Sequence, residues 1–225
     1  MLSACGGGGG TLSGQQVAKP QPKAIVIDAE GDSTMWGFRP VNGGAVQVDG
    51  NPPALLQAAL QQQFGPLVTV QNNAIPGMTM ANRLEGTAPY SQPYSAWATS
   101  DHANIVIENF SLNDDTVTNN ESPEMFQNYL VQFVSDSQAA GKTVVLEEPN
   151  ACWNCPATLV NYVNVIDSVA LQMNLPLVKQ YDYTMSLPNW QSMLVDGIHP
   201  NDALYALKAQ READVIGPIV QHLMN

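Results

Sequence analysis

The chain predicts an α/β fold, a parallel sheet covered by helices on both faces. Short β-branched runs alternate with longer segments of helical period along almost all of its 225 residues. Several of those runs end in a glycine- or asparagine-bearing turn, the end of the strand at which open sheets of this kind place their ligands. No internal repeat and no second domain boundary interrupts the pattern.

The strand candidates are residues 24–29, 67–71, 104–110 and 143–147, with a shorter one at 175–179. Their near-continuous apolar character suits strands buried on both faces. The first helix is read over 53–64, where Pro52-Pro53 marks the start and Leu55, Leu56, Ala59 and Leu60 share a face. A second covers 123–140, with Met125, Tyr129, Leu130, Phe133 and Val134 at helical spacing and Gly141 at its end. A third, 157–173, carries Val160, Val163, Ile166, Val169 and Ala170. The last, 201–223, runs from an Asn or Asp cap through Leu204, Leu207, Ala213 and Ile216. Two connections are long, the glycine-rich 38–51 and the aromatic-bearing 86–101, and long loops above such a sheet commonly shape a cleft.

Composition narrows the partners. A formal net charge of -12 with eight basic side chains argues against nucleic acid, whose phosphates require clustered Lys and Arg. It equally disfavours electrostatic docking on an anionic membrane. No apolar stretch approaches the roughly 20 residues that span a bilayer.

Residues 1–22 read as a tether before a domain over 23–225. Gly6 to Gly10 are followed by Lys19-Pro20-Gln21-Pro22, a composition that forms no core. Leu2-Ser3-Ala4-Cys5 resembles a bacterial lipobox, whose cysteine carries lipid, and lipobox, polyglycine and Pro-rich spacer make a coherent order. The expectation is an exported protein of the periplasm or cell surface that meets the membrane only through a lipid on Cys5. The other cysteines form Cys152-Trp153-Asn154-Cys155. A C-x-x-C serves as a redox motif, half a zinc site or a local disulfide. No second C-x-x-C or nearby His pair supports zinc, and in an exported protein a Cys152–Cys155 disulfide pinning the loop is the better reading.

The residues that carry chemistry lie at strand ends. Gly31-Asp32-Ser33 follows the first strand, Asn73-Ala74-Ile75-Pro76-Gly77 the second and Ser111-Leu112-Asn113-Asp114 the third. Asp196-Gly197-Ile198-His199-Pro200 precedes the last helix. Acyl transfer by serine needs a base, a group that orients the base, and donors for the oxyanion. The G-x-S-x-G elbow of ordinary α/β-hydrolases is absent. Glu147-Glu148 follows a strand, but neighbours on a strand point to opposite faces, which argues against a glycosidase carboxylate pair.

Together these blocks resemble the SGNH, or GDSL, hydrolases, whose Ser, Gly, Asn and His signature appears in order as Ser33, Gly77, Asn113 and His199. The resemblance spans Lys23 to the final helix. It implies a three-layer, flavodoxin-like fold with a five-stranded, mainly parallel sheet, and serine acyl-hydrolase chemistry without metal or other cofactor. Carried over, Ser33 is the nucleophile, His199 the general base and Asp196 its orienting acid. The backbone N–H groups of Ser33 and Gly77 and the Asn113 amide form the oxyanion hole. Asp32 supports the turn. One position departs from the family pattern: Ser111 stands where the third block usually has glycine, a substitution that ordinary backbone angles would tolerate. Glu30, Asp114 and Asp115 add negative charge near the cleft, disfavouring anionic substrates.

Trp36, Tyr90, Tyr94, Trp97 and Trp153 are candidates for a substrate platform, since aromatic faces stack on sugar rings; packing in the core is the commoner use of such residues. His102 and His222 read as surface or structural. The expected activity is hydrolysis of a carboxylic ester, a short acyl group on a carbohydrate or a simple lipid ester. An O-acetyltransferase using the same residues is the alternative, and a non-catalytic glycan-binding surface lipoprotein the rival from another class.

Overall fold

In a computed structural model, residues 1, 21–116, 118–119 and 121–225 are described. The tether and Cys5 therefore lie, but for Met1 and residues 21–22, outside the described residues. Strands β1 (Ile25–Gly31), β4 (Val68–Asn72), β5 (Ile105–Asn109), β6 (Thr143–Glu147) and β7 (Leu177–Val178) form one sheet in the order β4-β1-β5-β6-β7. Every neighbouring pair in it is parallel. Counting only these strands, the order is 2-1-3-4-5, the flavodoxin-like one, and the chain reverses direction across the sheet between β1 and β5.

Alternation along each strand divides the core in two. Ile25, Ile27 and Ala29 of β1, with Ile105 and Ile107 of β5, pack against Leu56 and Leu60 of α2 (Pro52–Phe64) and Ile216 and Val220 of α8 (Asp202–Met224). On the opposite face Val106, Val144 and Leu146 meet Phe126, Leu130 and Phe133 of α5 (Pro123–Ala139) and Ile166 and Val169 of α6 (Leu159–Met173). Polar caps start three of the four long helices. The Asn51, Ser122 and Asn201 side chains accept from backbone N–H groups in the first turns of α2, α5 and α8. Met125 and Val160, assigned above to apolar faces, are instead exposed near the starts of α5 and α6. Among the described residues no helix is long and apolar enough to cross a membrane.

The two long connections hold structure that the sequence reading treated as loop. Residues 38–47 form an antiparallel hairpin, β2 (Phe38–Val41) and β3 (Gly44–Gln47), closed by Asn42-Gly43 with Gly43 at φ 77°. Asn-Gly is the strongest short-range hairpin signal and was there to be read. Pro40 and the exposure of β3 and the far half of β2 erased the alternation that marks a half-buried strand. Short helices α1 (Ser33–Trp36), α3 (Met80–Glu85), α4 (Tyr94–Ser100) and α7 (Tyr181–Ser186) complete the chain, with a 3-10 turn at Trp190–Met193.

Candidate active site

Ser33 opens α1 directly beyond β1. Gly31 allows the turn, because a Cβ there would lie 2.8 Å from the Asn109 carbonyl oxygen and 2.9 Å from the Met35 Cβ. Asp32 caps α1, its carboxylate accepting from the Thr34 N–H at 2.8 Å and the Thr34 hydroxyl at 2.9 Å. This places Ser33 at the carboxyl end of the sheet, at the β1/β5 switch point.

The structure brings Ser33, His199 and Asp196 together across 166 residues of sequence. Ser33 Oγ lies 2.9 Å from His199 Nε2, and His199 Nδ1 lies 2.7 Å from Asp196 Oδ2. Asp196 Oδ1 also accepts from the Ile198 N–H at 3.0 Å and the His199 N–H at 2.9 Å. One carboxylate thus fixes both the backbone and the ring of the histidine. Burial alone would raise the Asp196 carboxyl, but the bonds from His199 and Ile198 outweigh it and hold the group below the usual carboxylate range. With Asp196 ionised, Nδ1 carries the proton and Nε2 is free to accept one from Ser33.

Gly77 and Asn113 are drawn to the same rim. The Ile75 N–H donates to the Gly31 carbonyl at 3.0 Å, laying the 73–77 segment beside the end of β1. Gly77 has φ 81°, and a Cβ there would meet nothing within 4 Å, so the backbone angle rather than crowding calls for glycine. The Asn113 amide donates one hydrogen to the Met78 carbonyl at 3.0 Å, which orients it and leaves the second hydrogen available. Asp114 ties the same two segments again by accepting from the Met80 N–H at 2.8 Å. Ser111 lies at φ 132°, outside the ordinary angles under which a serine there would be unstrained. It is fully buried and its hydroxyl has no partner among the described residues.

Three features of the surroundings escaped the sequence reading. The first is Phe38, whose ring stacks on the His199 imidazole with centroids 4.3 Å apart. The hairpin holding it is pinned to α8 by the Tyr205 hydroxyl, which donates to the Phe38 carbonyl at 3.0 Å, and by an Arg39–Asp202 ion pair at 2.6 Å. The second is Arg83, which makes a bidentate pair with Glu30 at 2.7 and 2.8 Å, both side chains buried. Burial pushes the Glu30 carboxyl up and the guanidinium opposes it. Glu30 therefore brings no net charge to the cleft, contrary to the expectation above. Asp114 does not bring it either, because burial and the neighbouring Glu121 raise its carboxyl well above the ordinary range. Asp115, also raised by burial, is engaged by the Thr158 hydroxyl at 2.7 Å.

The third feature is what the expected Cys152–Cys155 disulfide supports, a brace behind the acid–base pair. Cys152 and Cys155 are joined by a disulfide, and the loop they close leans on the Asp196–His199 turn. The Trp153 and Asn154 N–H groups both donate to the Gly197 carbonyl, at 3.1 and 3.2 Å, and the Asn150 amide donates to the Ile198 carbonyl at 3.0 Å. Gly197 sits at φ 90°, where a Cβ would strike the Trp153 ring at 2.7 Å. Trp153 is thus part of the support for the histidine loop rather than of a substrate platform. Replacing both cysteines by serine is expected to lower kcat about fivefold with KM little changed, through displacement of the acid–base pair. The same change should remove about 2 kcal/mol of stability. Initial rates and thermal melts check this, and an unchanged kcat would dismiss the brace.

The remaining platform candidates separate. Tyr94 is fully buried, stacked on Phe133 at 4.2 Å with its hydroxyl 2.7 Å from Ser137 Oγ, so it is a core residue and faces no substrate. Trp36 packs on the α2/α8 side of the core behind Phe38. Tyr90 and Trp97 flank Arg83 and line a cavity beside the 73–77 segment. His102 and His222 are exposed. No group of three or more His, Cys, Asp or Glu poised for a metal occurs among the described residues.

Buried acids give the protein a definite pH response. Burial and the adjacent Asp101 raise Asp28 to about 8, and burial with Asp167 raises Glu148 to about 7. Native carboxyls raised in this way hold protons that the unfolded chain releases near pH 4. Their stabilisation is complete below that pH and is lost as pH rises through the folded values. Asp101 and Asp196, both lowered, act in the opposite sense only under strongly acid conditions. The melting temperature is therefore expected to be higher at pH 5 than at pH 8; scanning calorimetry showing the reverse would contradict the protonated state of Asp28.

The family model for GDSL-like lipases and acylhydrolases matches residues 29–207 of this chain. No curated protein sequence matches it significantly. Among solved structures, a lipase/acylhydrolase from Enterococcus faecalis is similar at a TM-score of 0.72 and 20% identity, over 87% of this chain and 96% of that one. A carbohydrate acetylesterase from Sinorhizobium meliloti is similar at a TM-score of 0.67 and 14% identity, over 87% and 99%. An acetylxylan esterase from Geobacillus stearothermophilus is similar at a TM-score of 0.67 and 17% identity, over 87% and 95%. At such identities these likenesses speak for the fold.

Proposed function

The chain belongs to the GDSL-like lipase/acylhydrolase family, and from that premise we propose that it is a serine esterase cleaving short acyl esters of carbohydrates or simple lipids through an acyl-enzyme. The observation that carries the proposal is the unbroken relay from Ser33 Oγ to His199 Nε2 at 2.9 Å and from His199 Nδ1 to Asp196 at 2.7 Å. Ser33 Oγ attacks the ester carbonyl while its proton passes to His199 Nε2. The resulting oxyanion is met by the Ser33 and Gly77 N–H groups and the free hydrogen of the Asn113 amide, each such donor contributing about 3 kcal/mol. The imidazolium, stabilised by Asp196, then protonates the leaving alkoxide as the carbon–oxygen bond breaks. Water then gives its proton to His199 as its oxygen attacks the acyl carbon, and His199 returns that proton to Ser33 Oγ as the acyl–oxygen bond breaks, releasing the carboxylic acid.

Short acyl groups on a carbohydrate are favoured because two of the folds it resembles belong to a carbohydrate acetylesterase and an acetylxylan esterase. Export with a lipid on Cys5 is part of the same proposal. It is supported by the lipobox-like start and by a disulfide suited to an oxidising compartment. The deciding experiment is a panel of esters varying acyl length and alcohol, run beside labelling by a serine-directed phosphonate. Turnover of acetates with phosphonate bound at Ser33 is expected. A protein that neither hydrolyses any ester nor takes up the phosphonate is not a serine esterase.

A further inference from the structure

Two hydrogen bonds hold the His199 imidazole by its edge, Nδ1 to Asp196 at 2.7 Å and Nε2 to Ser33 at 2.9 Å. Neither stops the ring from tilting about the axis through its two nitrogens. Such a tilt swings the Nε2 lone pair away from Ser33 Oγ, and a hydrogen bond weakens steeply with misalignment. The ring therefore needs a contact on its face. Phe38 supplies one, stacked on the imidazole with centroids 4.3 Å apart and planes 29° from parallel.

Phe38 is set in place by the backbone around it. Gly37, at φ 90°, turns the chain out of α1 at a point where a Cβ would lie 2.3 Å from the Asn51 Cβ. The Gly37 carbonyl accepts from the Val48 N–H at 2.9 Å, and the Trp36 carbonyl from the Gln47 amide at 2.8 Å, closing the base of the hairpin. With the Tyr205 and Arg39–Asp202 bonds to α8, these ties fix the first residue of β2 before any substrate arrives. Phe38 and Arg39 are the half-buried residues of β2, and Arg39 is engaged by Asp202. Phe38 is thus the side chain that β2 brings to the histidine.

The contact changes value during the reaction. In the resting site a neutral imidazole on a phenyl ring gains only the modest attraction of stacked aromatics. Once Ser33 has given up its proton the ring is an imidazolium, and its charge lies over the negative face of the phenyl quadrupole, within the roughly 6 Å at which such contacts act. The His199 side chain is only 13% exposed, so little water competes for that charge. An interaction stronger in the transition state than before it accelerates the step. Asp196 acts on the charge from the ring's edge and Phe38 from its face, so the two contributions are compatible.

We infer that Phe38 is a positioning residue of the acid–base step: its ring face keeps the imidazole aligned with Ser33 and Asp196 and stabilises the positive charge that His199 takes up in each transition state. The inference rests on the serine-esterase reading and adds to it a residue outside the relay and the oxyanion hole. The test measures kcat, KM and thermal melts with p-nitrophenyl acetate and butyrate, in the wild type, Phe38→Leu, Phe38→Met and Phe38→Tyr. Leucine and methionine keep apolar bulk and remove the quadrupole, whereas tyrosine restores a ring face. Acylation and deacylation both pass through the imidazolium, so the first two variants are expected to lower kcat about tenfold on both esters with KM little changed. Phe38→Tyr is expected to stay within about twofold of wild type. A folded Phe38→Leu with kcat within about twofold of wild type overturns the inference, and Phe38→Met decides if leucine does not fold. Phe38→Tyr as slow as Phe38→Leu overturns it too. So does an effect confined to KM or to one of the two esters, which would make Phe38 a wall of the acyl pocket. A wild type that cleaves neither ester and takes up no phosphonate would instead bring down the esterase reading on which it rests.

Discussion

Ser33→Ala is expected to lower turnover of a chromogenic acetate by about 10⁴-fold or more, with the fold and melting temperature unchanged. The two halves of that result have separate causes. The hydroxyl is the only atom in the relay able to form the acyl bond, and it bonds to His199 at 2.9 Å. The local structure does not need it: α1 is capped by Asp32 through Thr34, and the Gly31 turn is set by backbone contacts with Asn109. Removing one oxygen from Ser33 therefore separates catalysis from stability. Steady-state rates with circular dichroism decide the matter, and a variant retaining a tenth of wild-type activity would take Ser33 out of the mechanism.

Arg83→Met is expected to cost about 3–5 kcal/mol of stability, because it leaves the Glu30 carboxylate in the core without its counter-charge. Glu30 has no exposure to solvent and Arg83 only 2%. The guanidinium also lies 4.4 to 4.7 Å from the ring centroids of Tyr90, Tyr94 and Trp97, contacts that the thioether of methionine meets only in part. For a domain of this size the loss corresponds to a fall of about 10 °C in the melting temperature. Adding Glu30→Met to the same protein should recover most of it, since a hydrophobic pair replaces a buried ion pair at little net cost. A single Arg83→Met variant melting with the wild type would show that Glu30 takes up a proton freely and that the pair does not hold β1 to α3.

How legible each part was depends on how local its cause is. Ile25 to Ala29, Ile105 to Asn109 and Thr143 to Glu147 read as strands because burial on both faces makes continuous apolar runs. Leu56, Leu60, Phe126, Leu130 and Phe133 marked α2 and α5 for the same reason, each helix having one buried stripe. The hairpin over 38–47 has neither signature, being exposed along most of its length, and its only local sign was Asn42-Gly43. Tyr94 and Trp97 are three residues apart in one aromatic-rich stretch, yet one is core and the other lines a cavity. No composition separates them, since α5 on one side and the 73–77 segment on the other determine which ring meets solvent.

The fold class, the strands of the five-stranded sheet, the long helices and the kinds of side chain available at the strand ends were legible in the amino-acid sequence. Each of these follows from periodicity or chemistry within a few residues. Tertiary structure set the 2.9 Å contact between Ser33 and a histidine 166 positions away, and it alone decided that Phe38 covers that ring and that the Cys152–Cys155 loop braces its turn. It alone decided, too, that Arg83 cancels the charge of Glu30 across 53 residues. The reason is the order of the sheet. Placing β1 between β4 and β5 gathers the ends of three strands at one switch point, and which neighbours then face one another depends on every segment between them.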